Sequence, residues 1–565
     1  MAFATSDADA RWPDGVIPYV ISDDFSTGQR RELLRAIAHW NDRTVIRLRR
    51  RFTEADFVRF VPAEGVCQAT VGRVGGEQTV GCDVGDGFGT GSVIHEIGHA
   101  VGYFHEQQRP DRDQFIRVNT GNIEAGKEHN FDIRMGGVVL GPYDFGSIMH
   151  YPEDAFSDGG DTIETLHGED IGQRDGLSEF DIKGVCVLYD APHLVVAWED
   201  DLDRRDHRDV QWTGLARWGK HCWGPLPVES EGGGRARPNV ALDAERAAFV
   251  VYDEGPQTGG SSHVGLRCLT VNGAERFHAL TVSSGPGRHQ APDVAVAPVG
   301  DLVVAWQVGL PGGGAEVRAR GFDREGRDRF PALMVTTGTD GGVPGVPAVG
   351  MNPGGGFVVV WGELRDESLS VRGQLYGADG QKVFEQFVVA EGLGDQDVFP
   401  RVAVASNSSF VVTWERGTVD IRARGYGADT SELFPEIGVN ATAAGTQLIP
   451  DVAAHPTGSF VVVWTDDRNE NNLGQIRMRA FAADGTEVQP EATANPRGGG
   501  DQFRPRVAVD RTGRRYVVWE DDEDRNGVFQ IHAQGTDADG ASFLDSFTVN
   551  VAWRGQQRRP AVATR

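Results

Sequence analysis

Six times after residue 230 the chain repeats one phrase: Pro-x-Val and then, fourteen residues beyond the proline, an aromatic that closes an apolar run. The prolines are Pro238, Pro292, Pro347, Pro400, Pro450 and Pro505, and the aromatics are Tyr252, Trp306, Trp361, Trp414, Trp464 and Trp519. The aromatics stand 50 to 55 residues apart, which marks a repeat architecture whose copies bury their apolar faces against one another. Each copy has room for four short strands. In the copy from Pro450 they are expected at Asp451–Ala454, Phe460–Trp464, Ile476–Phe481 and near Val488, with turns such as Asp484-Gly485 between them. Four strands in about 54 residues is the size of a propeller blade, whereas an immunoglobulin-like domain needs about twice that length. Glycine, 75 of 565 residues against a usual share of about 7%, agrees with a turn-rich, all-β region.

The two ends of this region decide between a ring and an open array. Leu194-Val-Val-Ala-Trp198 supplies the second strand of a copy that lacks its Pro-x-Val strand, and Arg559-Pro-Ala-Val-Ala563 supplies a first strand with nothing after it. Together they complete a seventh unit and remove the exposed edges that an open sheet would present. Residues 191–565 are therefore expected to form a seven-bladed β-propeller closed by the C-terminal strand. Its tryptophans are read as anchors between blades rather than as a ligand cage.

Residues 1–190 read as a separate α+β domain. Val16–Ile21 and Asp56–Val61 are strand-like, and a further pair is expected near Val71–Val74 and Gln78–Val80. Ser26-x-x-Gln29 is a capping box, after which Leu33, Ile37 and Trp40 share one helical face. The next helix reads Ser92-Val-Ile-His95-Glu96-Ile-Gly-His99-Ala-Val-Gly102-Tyr-Phe-His105-Glu106. Residues four apart lie on the same side of a helix, so His95 and His99 can share one cation. His105 would face away if the helix continued. It becomes a third ligand only if the helix stops, and Gly102 is the residue able to turn the chain back. Glu96 lies beside the pair as a candidate general base. Three neutral imidazoles and one open position suit a catalytic Zn2+ ion.

The pattern His-Glu-x-x-His-x-x-Gly-x-x-His resembles that of the metzincin zinc proteases, and Glu106 directly after the third histidine is similar to the astacin family. Arg11-Trp-Pro-Asp-Gly-Val-Ile-Pro-Tyr19, Arg109-Pro-Asp111-Arg-Asp113 and Ser147-Ile-Met149-His150-Tyr151 extend the resemblance over about residues 11–190. It implies a metzincin fold and a zinc metalloendopeptidase acting on protein or peptide substrates. His95, His99 and His105 would bind the metal, with Tyr151 as a displaceable further ligand and oxyanion stabiliser. Glu96 would be the general base, and Met149 the floor of the site. Read alone, a tyrosine in a turn such as Tyr151 is more often a packing residue; His150 is expected to be structural. The resemblance also implies an extended substrate lying against Cys67–Val74 and a disulfide between Cys67 and Cys82. The family's second disulfide has no counterpart here, since Val45 and Asp190 stand at its positions. Cys186, Cys222 and Cys268 remain, and a Cys222–Cys268 link stays open. The resemblance further implies that Glu106 meets an N-terminal amine, here the one exposed after removal of Met1, since ten residues precede Arg11; neighbouring backbone or water is the alternative.

The formal charge of −27 argues against coating nucleic acid or an anionic membrane, and no apolar run approaches the ~20 residues of a membrane span. The first residues lack the pattern of a signal peptide. The resemblance implies a secreted, extracellular protein whose signal is not in this chain. Acidic clusters follow the aromatic anchor at Glu199–Asp203, Asp466–Asn472 and Glu520–Gly527. The last contains Asp522-x-Asp524-x-Asn526-Gly527, spaced as in Ca2+ loops, although Ala533 replaces the twelfth-position Glu of an EF-hand. A solvated hairpin tip is the alternative. The propeller is expected to bind substrate or a surface through an unknown ligand. The rival reading is a binding or adhesion protein in which the propeller is the main functional unit.

Overall fold

The computed structural model describes residues 2–85, 89–189, 193–201, 208–216, 219–228, 234–255, 261–271, 273–311, 313–337, 342–393, 398–495, 499–551 and 555–564. Two compact units emerge: Met1–Pro192 with Ala216–Cys222, and His193–Leu215 with Trp223–Arg565.

In the first unit a five-stranded sheet runs in the order Arg47–Arg50, Val16–Ile21, Phe57–Pro62, Glu77–Cys82, Cys67–Ala69. The first four strands are parallel neighbours; the fifth is antiparallel and lies at the edge. Cys67 and Cys82 oppose each other across that last pair and form the disulfide. The strand expected near Val71–Val74 is absent, because its backbone is committed elsewhere. Gly72 N–H donates to the His99 carbonyl (2.9 Å) and Arg73 N–H to that of Ala10 (2.7 Å). Cys186, Cys222 and Cys268 are buried and stand outside any disulfide, so no Cys222–Cys268 link forms.

Helix α1 (Thr27–Arg43) begins at Ser26 with the full capping box to Gln29 and buries Leu33, Ala36, Ile37 and Trp40. Trp40 Nε1 donates to the Ile94 carbonyl of helix α2 (Thr90–Val101) at 3.0 Å, and Trp12 Nε1 to that of Ala100 at 2.8 Å. These bonds use carbonyls of a helix that is buried over most of its length, and they fix α2 between α1 and the N-terminal segment. Helix α3 (Glu179–Leu188) starts from a second capping box, Ser178 with Asp181.

The second unit is a seven-bladed propeller of four-stranded antiparallel sheets. Blade 1 takes its first strand, Gln556–Thr564, from the C-terminus, paired with Leu194–Asp201 from Leu194↔Thr564 to Asp201↔Gln556. Blades 2 to 7 follow in chain order. Each tryptophan anchor is fully buried against the blade before it. Trp306 packs on Phe249 and Val251, Trp361 on Val303, Trp414 on Val358, Trp464 on Val411 and Trp519 on Val461. Trp198 shares a buried cluster with Tyr516 and Val518, so blades 7 and 1 meet through the same kind of contact as the successive pairs from blade 2 to blade 7. In the Asp522–Gly527 hairpin the side chains of Asp522, Asp524 and Asn526 accept amides of the loop itself. Part of the Glu199–Asp203 cluster, from residue 202, lies outside the described residues.

A second joint was not visible in the sequence. The residue before the blade proline bulges the first strand out of register and takes a positive φ at Arg237, Ala291, Ile449, Arg504 and Arg559, between 50° and 55°. Such a conformation costs about 1–3 kcal/mol for a residue with a side chain. At three of these positions it is held by the residue following the aromatic anchor of the preceding blade. Glu199 accepts the Arg237 amide (2.7 Å), Glu520 that of Arg559 (2.7 Å), and Glu415 that of Ile449. Glu520 is fully buried and also receives Arg504 at 3.2 Å, so it clamps blade 7 onto blade 1 where the ring closes. Replacing Glu520 by Ala removes a buried partner from two cationic side chains and an amide. It is expected to destabilise the propeller by about 1–3 kcal/mol, read from the urea midpoint of its unfolding transition.

Candidate metal centre

Helix α2 places His95 and His99 one turn apart on one side, then stops at Gly102. Gly102 has φ 123°, outside the range a side chain tolerates, and its N–H donates back to the carbonyls of Gly98 and His99. The chain returns in extended conformation at His105 (φ −70°, ψ 142°). The three imidazoles consequently meet. His105 Nε2 lies 3.2 Å from His95 Nε2 and 3.2 Å from His99 Nε2.

The outer ring nitrogens decide what the inner ones are. His95 Nδ1 lies 2.7 Å from the Ile148 carbonyl and His99 Nδ1 lies 2.8 Å from the Tyr103 carbonyl. A carbonyl only accepts, so both Nδ1 atoms carry the proton and both Nε2 atoms present lone pairs. Burial lowers the pKa of all three rings, that of His99 to about 4, and keeps them neutral. His105 Nε2 can share at most one proton with these two lone pairs, so at least one of the close approaches is repulsive unless a cation lies between the rings. The donor set therefore fits a metal ion, and three imidazoles fit zinc.

Glu96 is 5% exposed, and its Oε2 has no hydrogen-bond partner among the described residues. Burial pushes its carboxyl up to about 8, opposed by the charge of Arg174. Tyr151 packs against His105 with ring centroids 4.4 Å apart and the rings tilted by 55°, and its amide donates to Gln107 Oε1 at 3.2 Å. Its hydroxyl is raised to about 12, by burial first and then by Glu96. Met149 is fully buried under α2; a Cβ on Gly98 would sit 2.6 Å from its sulfur, so the helix must carry glycine there. His150 lies between the Tyr143 hydroxyl (2.8 Å) and the Tyr151 carbonyl (2.7 Å), with no part in the triad.

Two residues that sequence reasoning passed over hold this arrangement. Asp181 of α3, fully buried, accepts Ser147 Oγ (2.7 Å) and the Ile148 amide (2.9 Å), fixing the turn whose Ile148 carbonyl orients His95. Its capping box with Ser178 was readable; its second task was not. Arg174 donates to the carbonyls of His150 and Gln173 and acts electrostatically on Glu96 and Tyr151. Glu106 is fully buried. It accepts Arg109 Nη1 (3.0 Å) and the Asp144 amide (2.9 Å), while Asp111 receives the rest of the Arg109 fork at 2.8 and 2.9 Å. The bond from the Asp144 amide to Glu106 is the neighbouring-backbone contact expected as the alternative, in a chain that still carries Met1 before Ala2.

Comparison with known proteins supplies the family. Residues 4–190 match the model of Astacin, a peptidase family. Zinc metalloproteinase nas-13 of Caenorhabditis elegans is 41% identical over 189 residues, 32% of this chain and 41% of that protein. High choriolytic enzyme 1 of the fish Oryzias latipes is 41% identical over 178 residues, 31% of this chain and 66% of the enzyme. The solved structure of that hatching enzyme zinc-protease has 38% identity and a TM-score of 0.32, covering 34% of this chain and 99% of the other. The chain thus spans about two fifths to two thirds of the length of these two curated relatives, and the matches fall within its first third. Through residues 4–190 it belongs to the astacin family of peptidases.

Proposed function

We propose that this chain is a secreted zinc metalloendopeptidase that hydrolyses peptide bonds in protein or peptide substrates, with the propeller engaging the substrate or a surface. The observation that carries the reading is the meeting of three imidazole Nε2 atoms beside a buried carboxylate with an unpartnered oxygen. A disulfide at Cys67–Cys82 agrees with an oxidising, extracellular setting.

His95, His99 and His105 would hold the zinc, whose Lewis acidity polarises a peptide carbonyl and acidifies a water. Glu96 then takes the proton of the attacking water at Oε2 and returns it to the amine nitrogen as the carbon–nitrogen bond breaks. The positive charge of Arg174 favours the ionised form that this first transfer needs. The Tyr151 hydroxyl, raised to about 12, stays protonated at neutral pH and donates a hydrogen bond to the developing oxyanion. Cys67–Ala69 at the sheet edge offers unpaired backbone to an extended substrate, so recognition relies on main-chain bonds and tolerates many sequences.

Cleavage of casein by the wild type and by Glu96→Gln, with and without 1,10-phenanthroline, tests the reading. Wild-type cleavage is expected to vanish with the chelator, and Glu96→Gln to lose at least about 10²-fold in rate. Equal rates for the two proteins would remove Glu96 from the chemistry, and no cleavage by either would leave the propeller as the working part. Tyr151→Phe is expected to lower kcat by about 10²-fold with little change in KM, measured on a quenched-fluorescence peptide.

A further inference from the structure

The first strands of the seven blades surround a cavity of about 240 Å³, and the residue before each blade proline stands on its wall. Blades 7, 1 and 2 are neighbours around the ring, and they place Arg504, Arg559 and Arg237 there. Blades 4, 5 and 6 place Val346, Phe399 and Ile449 at the same position. At this position one arc of the cavity is thus cationic and the facing arc apolar, while Arg401 of blade 5 and Arg506 of blade 7 also stand on the wall.

Each of the three arginines is bonded in the same way. Nη1 of Arg237 reaches Asp253 (2.6 Å), that of Arg504 reaches Glu520 (3.2 Å) and that of Arg559 reaches Glu199 (2.9 Å). The acidic residues are 7%, 0% and 2% exposed, whereas the arginine side chains are 33%, 29% and 32% exposed. Among the described residues, the Nε and Nη2 groups of all three make no hydrogen bond. A buried acid holds each fork upright and leaves its outer edge, the edge that grips a carboxylate with two parallel bonds, turned to solvent. Arg208 and Arg558 share the same acids at 3.3 and 3.9 Å. Glu199 and Glu520 therefore each face two guanidiniums.

We propose that the propeller cavity binds an organic carboxylate carrying an apolar group, held by Arg504, Arg559 and Arg237 with its apolar body against Phe399, Val346 and Ile449. Phosphate or sulfate would satisfy the arginines but leave the apolar arc in water. An uncharged apolar ligand would strip solvent from three guanidiniums without compensation. At this volume the cavity takes about one side chain with its carboxylate, smaller than a drug-sized pocket. A peptide C-terminus ending in an apolar residue and a small free acid share this chemistry.

Calorimetric titration of the full-length Glu96→Gln protein separates them, since that variant leaves peptide probes uncut and binding then reports nothing about hydrolysis. The probes are N-acetyl-Ala-Ala-Phe as free acid and as C-terminal amide, and 3-phenylpropanoate with its amide. At least one acid is expected to bind at submillimolar concentration, with its amide about tenfold weaker or more. The tighter acid identifies the source. Arg504→Lys and Arg559→Lys keep a charge over the buried acids and so keep the fold, but lose the fork; each is expected to weaken the acid several-fold. Phe399→Ser should weaken it as well. Equal binding of acid and amide, no binding by any probe at about 5 mM, or affinity unchanged in both lysine variants would overturn the assignment.

Discussion

The first unit depends on where one helix ends. Were α2 to continue past Gly102, His105 would turn away from His95 and His99 and no three-imidazole site would form. The stop is enforced twice, by a backbone conformation at φ 123° that favours glycine and by hydrogen bonds from that residue back to Gly98 and His99. The returning chain is then tied down, since the Glu106 amide donates to the Met149 carbonyl at 3.2 Å. The turn at Ser147–Met149 in its turn answers to Asp181 of α3. The positions of the rings thus rest on a helix that begins only at Glu179, far beyond His105 in the chain.

This division explains what the sequence revealed. Metal-ligand spacing is a local property, so His95, His99, His105 and the need for a break at Gly102 could be read from eleven consecutive residues. Asp181 and Arg174 act across long sequence separations, and an aspartate at a helix start or an arginine in a loop carries no mark of a second task. Tyr151 is intermediate. Its place beside His105 follows from the fold, and only the resemblance singled it out. The misplaced strand at Val71–Val74 failed for a related reason, because apolar alternation cannot show that Gly72 and Arg73 bond to His99 and Ala10.

In the propeller, repetition did the work that locality did in the metal site. A phrase repeated six times exposes its shared positions, and the half-copies at the two ends state the closure. What repetition conceals is the variable position. The residue before the proline differs from copy to copy; it lines the cavity in every blade, takes a positive φ in five of them and in three gives its amide to a carboxylate of the neighbouring blade. A ring of equivalent positions allows a binding surface to differ around its circumference while the blade-to-blade contacts stay the same.

The central claim is that three neutral imidazoles share one zinc ion. Zinc content and zinc-edge X-ray absorption of the purified protein, beside His99→Ala, test it most directly. The account predicts one zinc per chain with nitrogen neighbours at about 2.0–2.1 Å, and loss of that zinc in the variant. A protein without stoichiometric zinc, or zinc retained undiminished by His99→Ala, would contradict it.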